Sequence, residues 1–153
     1  MAGYKGHLRG GMVTAFILII FLTPSLSISR TPLNIILLSI SIILGSLLPD
    51  IDHPYSLLGR YIPFISKPLY RYFGHRSLTH SLCFIFCLVL IISLFGFEIF
   101  ALGLGTGMLS HVALDLFWPG SSGVAFLYPF YKRRIDLMPN FHPKKKKRRK
   151  KRR

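Results

Sequence analysis

The chain has 153 residues, of which 51% are hydrophobic and only 16% charged, yet its formal net charge is +15. A soluble domain of this length seldom combines so much apolar residue with so little charge, and here most of the charge sits in one terminal block. With a mean hydropathy of +0.47 and two cysteines, the composition excludes an ordinary soluble enzyme domain and a disulfide-held secreted module, and leaves a membrane protein.

Four nearly uncharged stretches, 11–29, 33–49, 78–97 and 99–117, approach the ~20 residues that cross a hydrocarbon core of ~30 Å. They predict an all-α membrane protein, a four-transmembrane-helix bundle with interfacial segments on its cytoplasmic face. One membrane-embedded domain covers 1–143 and a disordered polybasic tail covers 144–153. Lys5 and Arg9 precede the first stretch, as in a signal peptide. No small-residue cleavage site follows and the next apolar segment begins at Leu33, so the first stretch is read as a retained helix joined to the second by a tight outer turn at 29–32.

The second stretch closes on Leu48-Pro49-Asp50-Ile51-Asp52-His53-Pro54. The segment 54–77 that follows carries Pro54, Pro63 and Pro68, which forbid one continuous helix. Its tyrosines and phenylalanines alternate with basic residues, a pattern suited to the headgroup level. The third stretch opens on Gly74-His75-Arg76-Ser77-Leu78-Thr79-His80-Ser81. Cys83 and Cys87, one helical turn apart with no histidine or third cysteine beside them, read as packing residues. A short outer turn at 96–98 leads into the fourth stretch, which ends on Ser110-His111-Val112-Ala113-Leu114-Asp115. Trp118-Pro119-Gly120 is a break, and 124–130 reads as an apolar strand or loop at the interface. The final ten residues, Lys144 to Arg153, are all basic. Such a block cannot fold on itself, and each charge beside an anionic membrane adds about 1 kcal/mol of attraction. Its expected partner is anionic lipid headgroups. The absence of interleaved aromatic residues argues against nucleic acid.

Lysine and arginine on short loops set orientation. With both termini in the cytoplasm, the inner segments before the tail carry Lys5, Arg9, Arg60, Lys67, Arg71, Arg76, Lys132, Arg133 and Arg134, and the outer turns carry only Arg30. That bias gives an arrangement with both termini inside and four crossings.

Topology then gathers the chemistry. Of five carboxylates, Asp50, Asp52 and Asp115 lie within four residues of a histidine. His7, the Asp50–His53 segment, His75 with His80, and His111 with Asp115 all fall at the same leaflet. Glu98, at the other, has no histidine near it. His111 and Asp115 at i,i+4 share a helix face. Asp50 and Asp52 need a cation to offset each other. His75 and His80 can converge across a helix start. Imidazole with carboxylate suits a divalent transition metal, zinc first and manganese or iron after it. The metal-ligand candidates are His7, Asp50, Asp52, His75, His80, His111 and Asp115, more than one tetrahedral ion requires, so one or two ions are expected. His142 and Asp136 are read as incidental.

His7 with Gly10-Gly11, the Leu47-to-Pro54 run with Leu58-Gly59, His75-Arg76, Thr79-His80-Ser81, Ser110-His111, Leu114-Asp115 and Leu127-Tyr128-Pro129-Phe130 resemble, in order and spacing, the YdjM-like family of membrane-bound metal-dependent hydrolases. The resemblance runs from His7 to about Phe130. It implies a metal-dependent hydrolase in the cytoplasmic membrane. The His111–Asp115 spacing is also similar to part of the ligand set of zinc-dependent phospholipases C, although the second His-x-x-x-Glu/Asp helix of those enzymes is missing here.

The expectation is hydrolysis of a lipid-type phosphoester or ester at the inner leaflet. Asp50 or His53 would act as general base, and Arg76 would clamp a substrate phosphate oxygen. Two other readings stay open: a non-catalytic metal or proton transporter, since ionisable residues in membrane helices also make ion paths, and a scaffold protein with a cationic tail.

Overall fold

The computed structural model describes residues 4–22, 31–118 and 123–138. The basic tail, His142, Pro119-Gly120 and residues 29–30 of the expected turn at 29–32 lie outside them.

Among the described residues the chain is helical. Helix α1, Tyr4–Ile17, runs on into a π-helical turn, Leu18–Leu22. Helix α2, Pro32–Leu47, starts at Thr31, whose side chain accepts from the Asn34 N–H, with Pro32 in the first turn, where its missing N–H costs nothing. It tightens into a 3-10 turn, Leu48–Asp52. Helix α3 is Pro63–Phe73, α4 is Leu82–Leu94 and α5 is Glu98–Phe117.

Two helix starts differ from the apolar stretches, and the segment between the second and third stretches forms a helix of its own, each for a local reason. α1 begins at Tyr4 rather than 11, because Lys5 and Arg9 are sound helix formers and hydropathy reports contact with lipid, not hydrogen bonding. His7 is thereby inside a helix. α4 begins at Leu82 rather than 78, because Ser81 caps it by accepting from the Phe84 N–H at 3.1 Å, leaving Thr79 and His80 in the preceding turn. The segment 54–77 forms its own helix, α3, which ends at Gly74 with φ 74°, a positive-φ stop that only glycine adopts cheaply. The stretch at 124–130 is a turn, and Val124 makes an isolated antiparallel bridge with Ile135.

Two helices, Pro32–Asp52 and Glu98–Phe117, are long and apolar enough to cross a membrane, while the apolar Leu82–Leu94 is shorter. α2 and α5 form the central pair. A methyl group on Gly45 would strike the Leu104 carbonyl, and one on Gly107 the Ile42 carbonyl, so the two backbones touch where side chains are lacking. α1 packs across both, burying Ala15 and Leu18 against Leu38 and Ile42. α4 lies along α5 through Ile85, Leu104, Met108 and Val112, joined at one end by Val124. α3 rests on the 3-10 turn after α2.

The burial pattern is inverted relative to a water-soluble protein. Phe16, Phe21, Phe86 and Leu94 point outward, whereas His7, Asp52, Arg76, Thr79, His80, His111 and Asp115 are buried. Fully buried ionisable groups are rare unless paired, and large exposed apolar faces need an apolar surrounding.

Candidate metal centre

The polar interior lies where the 3-10 turn, the turn before α4, the first part of α1 and the last part of α5 meet. Each supplies side chains that its local structure aims. The 3-10 turn holds Asp50 and Asp52. The loop 74–81 holds His75, Arg76, Thr79 and His80. α1 contributes His7, and α5 contributes His111 and Asp115 one turn apart.

Four donor atoms close a ring. The Nε2 atom of His80 is 3.9 Å from Asp50 Oδ1 and 3.6 Å from Asp115 Oδ2, and His111 Nε2 is 3.6 Å from each of the same two oxygens. A tetrahedral zinc with ligands at 2.0–2.1 Å sets its ligand atoms about 3.4 Å apart. These spacings lie just above that edge and are too long for hydrogen bonds. His80 Nε2, His111 Nε2 and Asp115 Oδ2 are buried and have no hydrogen-bond partner, and neither does His7 Nδ1. His7 stacks on His111 with ring centroids 3.6 Å apart, and its Nε2 lies 3.6 Å from Asp115 Oδ1. Ligand-type atoms thus fall into two adjoining triads, His7, His111 and Asp115, all buried, and Asp50, His75 and His80, nearer the surface.

The remaining groups orient these donors. His111 Nδ1 sits 2.7 Å from the Ser46 carbonyl, a contact that places the ring proton on Nδ1 and leaves Nε2 as an acceptor. Asp52 uses both oxygens. Oδ1 is 2.7 Å from His75 Nδ1, and Oδ2 accepts from the Arg76 N–H at 3.0 Å and from Thr79 Oγ1 at 2.8 Å, with His80 Nδ1 at 3.4 Å. Asp52, expected as a ligand, therefore lies behind two histidines rather than among the open donor atoms. Thr79 lies between Asp52 and His80 Nδ1, a bridging position that its place in the sequence does not signal.

Arg76, expected to clamp substrate, is 1% exposed. Its guanidinium donates to Asp115 Oδ1 at 2.6 Å. The loop pins the residue from several sides: its N–H goes to Asp52, its carbonyl accepts from the Ala125 N–H, and its φ of 64° is in the left-handed region. That conformation costs a non-glycine residue ~1–2 kcal/mol, which the converging contacts must offset. No signal in the sequence marks it.

His53 stands at the rim, half-buried, with ring centroids 4.8 Å from His75 and 5.8 Å from Tyr70. Burial, then the neighbouring His75, lowers its pKa and favours the neutral ring. For His80, burial opposes the charged form, but the Asp115 and Asp52 carboxylates facing the ring outweigh it and push its pKa up to about 9. Three carboxylates, Asp50, Asp52 and Asp115, share this space with the Arg76 guanidinium and the His80 ring, so a negative charge is left over even with His80 protonated. The excess of negative charge favours a cation there.

The profile of the family described as YdjM inner membrane protein matches residues 1–149 of the chain. Relatives named inner membrane protein YdjM, from Escherichia coli (strain K12) and Shigella flexneri, are 44% identical over 95 residues, which is 58% of this chain and 47% of each relative. An uncharacterized protein, YvsG, from Bacillus subtilis (strain 168) is 39% identical over 95 residues, 61% of this chain and 58% of that one. The chain thus spans about half the length of the curated relatives it matches. No solved structure matches it.

Proposed function

The chain belongs to the YdjM inner membrane protein family, and on that premise we propose that it is a metal-dependent hydrolase working at the cytoplasmic face of the inner membrane, in a four-span bundle with both termini inside. Its proposed substrate is a lipid-type phosphoester or ester. The observation that carries the reading is the set of buried donor atoms without hydrogen-bond partners, His7 Nδ1, His80 Nε2, His111 Nε2 and Asp115 Oδ2. Polar atoms buried in this way are costly unless something absent from the polypeptide meets them.

The residues suited to hold one or two divalent transition metals, zinc foremost, are His80, His111, Asp50 and Asp115, extended by His7 and His75. A bound ion of this kind polarises a phosphoryl or carbonyl oxygen and brings water towards a pKa of ~7. The chain's own residues supply the rest. Asp50, with a side chain 20% accessible, marks the open side from which water arrives. Asp50 or His53, whichever stays free of metal, takes the proton from the attacking water. Asp52 holds His75 and His80 by their Nδ1 atoms, and the Nε2 of His80 faces the donor ring. Arg76 offsets the charge of Asp115 and holds one of its oxygens, leaving the other for the ring.

The test is to purify the protein in detergent and count bound metal in wild type, His111→Ala and His80→Ala, then assay metal-loaded wild type against a panel of lipid phosphoesters. One or two equivalents, lost in both variants, with turnover abolished alongside, is the expected result. A wild-type protein that binds no transition metal refutes the proposal. Stoichiometric metal with ion flux in liposomes and no hydrolysis would favour the transporter.

A further inference from the structure

An open groove of about 620 Å3 runs between α1 and α5 on the outer flank of the metal centre. Two of its lining residues, Gly6 and Ser110, immediately precede His7 and His111 in sequence. One residue is ~100° around a helix, so the groove lies about a quarter-turn outside the stacked His7–His111 pair. Its wall is apolar, with Val13, Leu114 and Phe117, and Trp118 stands at the cytoplasmic end of α5. Arg9 is the single charged residue of the lining, and it is exposed. The Ser110 hydroxyl already donates to the Gly107 carbonyl.

We infer that this groove seats an anionic phospholipid of the surrounding bilayer, its acyl chain along Val13, Leu114 and Phe117 and its phosphate at Arg9, beside the metal centre. Three features select that occupant. The walls belong to helices whose outward faces are otherwise apolar (Met12, Phe16 and Leu109 are about half exposed or more), so a hydrocarbon chain covers them. A guanidinium binds a phosphate through paired donors, and an anionic headgroup, unlike a zwitterionic one, brings no cation of its own to compete with Arg9. Tryptophan favours the headgroup level, which sets Arg9 and Trp118 at the depth of the phosphate. The inference rests on the hydrolase reading for its consequence: a phosphoester would reach the donor ring sideways from the membrane rather than from water.

The protein is reconstituted in vesicles containing either phosphatidylglycerol or phosphatidylcholine that carries a photoactivatable acyl chain. Wild type should label on α1 and α5 several-fold more with the anionic lipid. Ala113→Trp, which fills the groove from an exposed position, should cut that labelling several-fold, and Arg9→Gln should erase the difference between the two lipids. Equal labelling by both lipids in wild type, or labelling indifferent to Ala113→Trp, overturns the inference. Loss of labelling in excess inorganic phosphate overturns the lipid as occupant in favour of free phosphate. Bound metal counted on the same samples should not change in either variant. Its absence from wild type would defeat the hydrolase reading alone, because labelling is read without turnover.

Discussion

Removing the Arg76 side chain tests how the interior tolerates its acidic residues. The guanidinium donates to Asp115 Oδ1 at 2.6 Å, and the two side chains are 2% and 0% accessible. Water therefore screens the pair very little. Breaking a buried pair by deleting one partner costs about 3–5 kcal/mol, mainly because a charge is left buried without compensation. For a chain of this size each kcal/mol moves the melting temperature by about 2–4 °C, so metal-free Arg76→Met should melt roughly 6–20 °C below wild type. The double variant Arg76→Met with Asp115→Asn should regain much of that loss. Zinc, which supplies positive charge at the same carboxylate, should narrow the gap between Arg76→Met and wild type. Thermal unfolding in detergent, followed by circular dichroism with and without zinc, measures all three. If metal-free Arg76→Met melts with wild type, or if Asp115→Asn gives no relief, the charge account of the site is wrong.

Asp52→Asn keeps the shape but weakens the hold on His75 Nδ1 and His80 Nδ1, so metal affinity should fall by about 10–100-fold while metal stoichiometry at saturation is kept. Titration calorimetry decides between that and outright loss of a site. Gly107→Ala drives a methyl group into the Ile42 carbonyl and should destabilise the protein by about 1–3 kcal/mol. It should also weaken metal retention, because the same α2–α5 contact carries the Ser46 carbonyl to His111. The His80 pKa of about 9 in the metal-free protein lies above its usual 6.5. Its contribution to stability is therefore complete below pH 6.5 and is lost as pH rises through about 9. Metal binding runs the other way, because His80 must release its proton to ligate, so affinity should climb with pH up to about 9. Melting curves of the metal-free protein and zinc titrations from pH 6 to 10 check the two slopes.

Much was legible along the chain because it depends on local chemistry. Apolar runs with charged flanks identify a membrane protein, and α2 and α5 fall where hydropathy puts them because the cost of exposing a backbone in lipid acts on each segment separately. The convergence of His7, Asp50, His80, His111 and Asp115 was also legible, since each stands beside the end of an apolar run, and short connections bring such ends together without any knowledge of packing. Helix ends were less so. Tyr4 and Leu82 replace 11 and 78 because capping and propensity, not hydropathy, decide where a helix begins.

What only tertiary structure decided is the division of labour inside that cluster. Asp52 and Asp50 are two residues apart and chemically identical, yet one is saturated by His75, Arg76 and Thr79 and the other points at His80 and His111. Arg76 reads as an anchor or a phosphate clamp in sequence, but in the fold it is a buried counter-charge held at φ 64°. Local sequence sets which residue types reach the membrane face. Which oxygen is already satisfied by hydrogen bonds, and which is left to face another helix, depends on atoms dozens of residues away, and no spacing along the chain records them.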